Sequence, residues 1–196
     1  MPELRTPRET WIAEGLRALG VGGPDAVRVE KLARALGVTK GGFYGYFADR
    51  GALLAEMLDA WERVVVDQTI DIIDADGGDG RTKLRRLFGV ATAAPDMLSI
   101  ELAIRDWARR DASVAERLTR VDNRRIAYMR SLFGTFCDDI EDIEARCLLV
   151  FALFVGNRFI AAEHDTRSRQ QVLHRAIEHL LAGPFCLGAH ASKRTN

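Results

Sequence analysis

Cysteine is scarce: Cys137, Cys147 and Cys186 are the only three. They are widely spaced and odd in number, and no CxxC pair occurs, so neither a disulfide framework nor a structural zinc site is signalled. Reduced thiols in a cytoplasmic protein are the expectation. Net charge is missing too. Lys and Arg number 28 and Asp and Glu also 28, so only a local asymmetry could favour a nucleic-acid partner. No apolar run is long. The longest, Cys147 to Gly156, falls far short of the roughly 20 residues that a membrane-spanning helix needs. The first eight residues are polar, carry two prolines, and lack the apolar segment of a secretory signal. No GxSxG, HExxH, GxGxxG or GxxxxGKS occurs, so the catalytic and phosphate-cradling signatures are absent. Of the histidines, His174 lies four residues before Glu178, a spacing more usual on a solvated helix face than at a metal. The sequence therefore predicts no cofactor, no metal, no membrane partner and no catalytic residue.

What remains is helix. Apolar residues make up 47% and charged residues 29% of 196 residues, too apolar a mixture for disorder. Strand signals are almost absent, and apolar residues recur at helical spacing between breaks of Gly, Pro and Asp. The expected class is all-α with about nine helices. The first runs from about Pro7 to Leu19 and is broken by "GVGGPDA". A second covers Val29 to Leu36, with Gly37 just past its end. Thr39 can cap a third, which runs to about Phe47. A long fourth runs from Arg50 to about Asp74, ahead of the "DADGGDG" break. Further helices are expected over 81–92, 96–110, 113–137, 140–164 and 168–182. The domain expectation is a helix-turn-helix unit over 1–50, a larger helical unit over 51–185, and a disordered tail over 186–196.

Between Gly41 and Phe47 the chain places three glycines among four aromatic rings. Glycine inside a helix costs about 1 kcal/mol against alanine, so the stretch gives up local stability for something. Two short helices joined through Gly37, Val38 and Thr39, with a first helix across them, describe a helix-turn-helix. In that arrangement the second helix of the pair enters the DNA major groove by its N-terminal residues. Phe43 and Phe47 share one face and can anchor the helix. Lys40 and Tyr44 share another and would point outward. Gly41 and Gly42 clear side chains from the turn that must approach DNA, Tyr44 and Tyr46 offer hydroxyls to phosphate, and Arg50 adds a charge. The first fifty residues hold eight basic and six acidic side chains, and none of the acids lies between Lys31 and Ala48.

The segment "VEKLARALGVTKGGFYGYFADRGALLAEML" resembles the DNA-binding signature of the TetR family of bacterial transcriptional regulators, over about Arg8 to Leu58. The Gly-Val-Thr-Lys turn, the Phe-Tyr-x-x-Phe core and the Ala-Leu-Leu opening of the fourth helix carry the likeness. It implies an all-helical homodimer, and most commonly a repressor released from DNA by a small molecule. DNA contacts would then fall on Thr39, Lys40, Gly42, Tyr44, Tyr46 and Arg50, with Arg28 beside them. Gly42 and Gly45 stand where many members carry larger side chains. Direct base readout is then sparse, and specificity leans on Thr39, Lys40 and DNA shape.

In the second half, large side chains sit on long helices. Plain core is the ordinary reading of such stripes. The resemblance implies instead a small, mainly apolar ligand among Trp61, Phe88, Met97, Trp107, Met129, Phe133 and Phe154, with Asn157 and Arg158 as polar members. The segment "RCLLVFALFVGNRFIAAEH" is apolar nearly all round, more than one wet face allows. Burying it calls for a partner, and the resemblance implies a four-helix bundle formed by two subunits. Its members would be Leu148, Ala152, Gly156, Phe159 and Ile160, with Leu173, Ile177, Leu180 and Leu181 of the last helix. Such a two-fold contact sets two reading helices about 34–36 Å apart and calls for a palindromic operator. The rival reading is a helical carrier or enzyme in which the first three helices are only structural.

Overall fold

Gly20, Val21 and Gly22 do not stop the first helix. In the computed structural model, which describes residues 6–93 and 95–182, α1 spans Arg8–Gly22 and ends where Gly23 takes φ 68°. Two glycines of α1 are there for close packing. A Cβ on Gly20 would come within 3.2 Å of Ile100, and one on Gly15 within 2.6 Å of the Met57 sulfur. A 3₁₀ turn, Pro24–Ala26, leads to α2 (Val29–Ala35). Gly37, at φ 67°, turns the chain into the short α3, Lys40–Tyr44. That helix ends three residues before the expected Phe47, although the amides of Tyr46 and Phe47 still donate to the Phe43 carbonyl at 2.9 and 3.1 Å.

The fourth helix, α4, starts as Arg50–Glu62, capped by the Asp49 side chain. It widens into a π-helical turn over Arg63–Gln68 and finishes as Thr69–Ala75. Then follow α5 (Gly80–Ala93), α6 (Pro95–Ala108), α7 (Ala112–Phe133), α8 (Ile140–Gly156) and α9 (Arg169–Leu181). Among the described residues the class is all-α, with nine helices and no strand. The expected tail over 186–196, with Cys186, lies outside the described residues.

One boundary differs by eight residues. The helix expected to reach His164 ends at Gly156. The stretch just beyond it is held from elsewhere: Arg169, at the start of α9, donates to the Asn157 carbonyl and amide oxygen at 3.2 Å each and to the Ala162 carbonyl at 2.8 Å. The end of α8 and the loop after it are thereby tied to α9. Ser168 starts α9 with a reciprocal capping box to Gln171.

The buried side chains form two cores. The first joins Trp11, Leu19, Phe43 and Phe47 to Leu53, Met57 and Trp61 of α4, and then to Ile100, Ile104, Val114 and Val121 of α6 and α7. The second gathers Leu84 of α5, Met129, Leu132 and Phe133 of α7, Ile143, Cys147 and Val150 of α8, and Ile177 and Leu181 of α9. The helix α7 serves both, its first half in one core and its last turns in the other. Hydrophobic packing therefore does not divide the chain at residue 50.

Candidate functional site

The tip of the helix-turn-helix is built from inside outward. Phe43 is fully buried and meets Trp11 edge-on at 5.5 Å and Phe47 stacked at 5.1 Å. Those contacts hold α3 to α1 and leave its other face free. Thr39, Lys40, Gly41 and Tyr44 are exposed there, Tyr44 at 61%. Lys40 Nζ reaches Glu30 at 3.2 Å, with both side chains well exposed, a pair of small energetic weight. Arg28 is exposed too, its Nε donating to the Asp25 carbonyl at 3.1 Å.

Four expectations change. Thr39 stands at the N-cap, but its hydroxyl makes no capping bond. Gly42 faces inward, where a Cβ would sit an ordinary 3.8 Å from the Trp11 ring. Tyr46 is half-buried against the first core. Arg50 points into the protein: its Nε donates to the Val27 carbonyl at 2.6 Å and its Nη2 to that of Pro24. It clamps the start of α4 to the turn before α2, a positioning role that its place at a helix start did not reveal.

Deeper in the molecule a cavity of about 200 Å³ lies between the two cores. Its walls come from the π turn of α4 and from α5, α6, α7 and α8. Of the residues expected there, Phe88, Met97, Met129 and Phe154 line it. Trp61 and Phe133 do not, since each is fully buried in its own core. Trp107 packs on the first core. Asn157 and Arg158 instead line an open cleft between α5, α8 and α9 that shares Phe88, Leu98 and Phe154 with the cavity, and there Asn157 is engaged by Arg169.

Sequence reasoning missed the polar pole of the cavity. Glu101 of α6 is buried. Its Oε1 accepts from Arg105 at 2.7 Å and Arg125 at 3.0 Å, and its Oε2 from Arg125 at 3.0 Å and from the Trp61 indole at 3.2 Å. Arg105 also donates to both oxygens of Asp122, at 2.9 and 2.8 Å. Burial alone would raise the Glu101 carboxyl, but Arg125 and Arg105 overcome it and hold the group below its usual range. Nearby, Tyr128 donates to Asp74 at 2.9 Å. Burial and that carboxylate push its phenol up. Glu101 and Arg105 stand four apart, a spacing visible in the sequence; their burial was not.

The surface of α8 carries an apolar face. Leu148 is 64% exposed, and beyond the helix end Phe159 is 71% and Ile160 51% exposed. Ala152 is exposed, and a Cβ on Gly156 would meet nothing within 4 Å. Leu173 and Leu180 of α9 are half-buried. Ile177 and Leu181, expected on the same surface, are instead buried in the second core. The apolar look of α8 also hid Arg146. It is buried, donating to Asp142 at 2.9 Å and to the Leu180 and Ala182 carbonyls at the end of α9. Among the described residues no single helix is long and apolar enough to cross a membrane.

Residues 12–57 match the family described as bacterial regulatory proteins, tetR family. No curated protein matches the sequence. Several solved structures share the fold. A Saccharomonospora viridis protein assigned as a transcriptional regulator, solved in complex with choline, aligns at a TM-score of 0.73 and 16% identity, over 89% of this chain and 94% of its own. A Rhodococcus protein assigned to the TetR-family transcriptional regulators aligns at 0.65 and 21% identity, over 89% and 98%. The fatty acid degradation regulator FadR from Bacillus halodurans aligns at 0.66 and 18% identity, over 92% and 97%. The matched amino-terminal segment, similar to the bacterial regulatory proteins of the tetR family, is the one that builds the anchored tip, and the fold around it is shared along most of the chain with these solved structures.

Proposed function

We propose that the chain is a cytoplasmic repressor that binds a palindromic operator as a homodimer and releases it when a small, mainly apolar ligand fills the cavity between the cores. The observation that carries this reading is the exposed Lys40 and Tyr44 on a helix fixed from behind by Phe43. Thr39 and Gly41 share that exposed tip, and Arg28 flanks it. Lys40, Tyr44 and Arg28 would position the protein on phosphates, and Thr39 with the backbone of Gly41 would meet base edges sparsely. Arg50 and Tyr46 support the tip from within.

Dimerisation is favoured by the α8 face. Leu148, Phe159 and Ile160 are large apolar side chains left exposed, with Ala152 exposed on the same helix as Leu148, and grouped exposed apolar residues mark interaction surfaces. Gly156 would permit a close approach there, and Leu173 and Leu180 of α9 flank it. A two-fold pair on this face would present two reading helices to successive major grooves. Ligand control is favoured by where the cavity lies, because a molecule in it would touch the core that carries the tip and the core that carries the α8 face. Its effect on DNA equals its differential affinity for the two arrangements, typically 1–3 kcal/mol in such systems.

The test is selection of genomic fragments by the purified chain, followed by mobility shift on the recovered sequence. The double variant K40A/Y44A should abolish the shift while circular dichroism and dimer mass stay unchanged. Binding should also weaken steeply with added salt. A shift that survives the double variant would overturn the reading.

A further inference from the structure

We propose that the cavity selects a neutral, single-ring aromatic molecule bearing one hydroxyl, of the size of a cresol or a benzyl alcohol. The proposal rests on the reading of the cavity as the effector site and adds what chemistry that site accepts. Size comes first. A closed apolar cavity of about 150 Å³ holds one benzene, and this one measures about 200 Å³. One ring with two or three further heavy atoms fills that volume.

The walls decide the shape. Phe88, Phe151 and Phe154 offer ring edges and faces, and Met97 and Met129 bring two polarisable thioethers. Both kinds of side chain favour an aromatic guest over a saturated one of equal size.

Charge is decided at the polar pole. The carboxylate of Glu101 receives two donors on each oxygen, from Arg105, Arg125 and Trp61. Asp122 answers the second guanidinium. Two carboxylates and two guanidiniums leave no net charge. A charged ligand would enter an apolar space with no counter-ion to meet it, which is strongly disfavoured. The hydroxyl follows from what is left over. Tyr128 donates to Asp74, and Thr69 donates to the Val64 carbonyl at 2.9 Å. Both residues line the cavity, and each oxygen keeps a lone pair for one more donor.

The experiment is calorimetric titration and thermal shift of the full chain at pH 7 with p-cresol, 4-methylanisole, cyclohexylmethanol, benzoate and benzyltrimethylammonium. We expect p-cresol to bind at least about tenfold more tightly than either ion, and more tightly than the methyl ether and the saturated alcohol. Equal or tighter binding of benzoate or of the ammonium ion would overturn the assignment, as would parity with cyclohexylmethanol or 4-methylanisole, or no binding by any. Two variants locate the effect. A91W fills the cavity from α5 and should remove cresol binding with the helical spectrum intact; unchanged binding would overturn the site. E101Q leaves a net positive pole and should raise the benzoate-to-cresol affinity ratio at least about tenfold; an unchanged ratio would overturn the charge argument. Mobility shifts run in parallel separate the two readings. If DNA is bound but no aromatic is, this proposal falls alone; if cresol is bound but no DNA, the cavity chemistry stands without the regulator.

Discussion

Replacing Glu101 by glutamine tests whether the buried ion cluster holds the helices together. The carboxylate side chain is 2% exposed, and those of its partners Arg105 and Arg125 are 21% and 14% exposed. Glutamine keeps the shape but removes the charge, and its amide N–H₂ faces donors where an oxygen accepted. The two guanidiniums lose the carboxylate's negative charge, keeping only Asp122, and the donors that faced the replaced oxygen lose their acceptor in a place water barely reaches. Breaking a buried pair from one side costs about 3–5 kcal/mol. At roughly 2–4 °C per kcal/mol for a chain of this size, melting should fall by about 6–20 °C. The pH dependence carries a sign. Because the folded carboxyl lies below its ordinary range, its contribution is complete above the unfolded value near ~4.3 and is lost as pH falls through the lower folded value. Differential scanning calorimetry of both proteins from pH 7 to pH 3 should show a gap that is full at neutrality and closes below about pH 4. A gap under about 2 °C at pH 7, or one that persists unchanged to pH 3, would refute the account.

Phe43→Ala should cost about 3–5 kcal/mol in urea unfolding, since a fully buried ring with aromatic neighbours leaves a cavity; a loss under about 1 kcal/mol would mean that α3 is not anchored there. Tyr44→Ala, on the exposed side of the same helix, should change stability by no more than about 0.5 kcal/mol. Burial pushes the Cys147 thiol up to about 11, so peptide mapping after iodoacetamide at pH 8 should find it unmodified in the folded protein; rapid labelling would show that α8 opens. Glutamates at Leu148 and Phe159, both largely exposed, should turn a dimer into a folded monomer by light scattering, and a dimer that survives both would move the interface elsewhere.

The number and order of helices were legible because helical spacing and its punctuation are local. Gly37 turns the chain with φ 67°, and "DADGGDG" separates α4 from α5. What escaped depends on distant contacts. The extra turn of α1 exists because Gly20 meets Ile100, eighty positions on. Arg50 at a helix start suggests a charge offered outward, but the carbonyls of Pro24 and Val27 claim it. A stripe of large apolar residues does not say whether its neighbour is another side chain or a void. Trp61 and Phe133 therefore look like Phe88 and Met129 until the helices are assembled. The charged pole of the cavity escaped for the opposite reason, because a Glu and an Arg four apart ordinarily sit in water.

The placement of the two cores shows what any coupling through this fold must cross. The first core carries the tip of the helix-turn-helix together with α6 and the start of α7, and the second carries α8, α9 and the end of α7. Both are too well packed to deform continuously, so displacement concentrates at the seam between them. Two helices run along that seam. The long α7 is regular throughout and braced by Glu101, Asp122 and their arginines. The other, α4, meets the seam at its π turn, where Val64, Val65, Val66, Thr69 and Ile70 line the cavity. Such widened turns are rare inside α-helices and frequent at functional sites. A load from the cavity would meet α4 at this turn, and α4 is also the helix that begins beside the tip, at the Arg50 clamp.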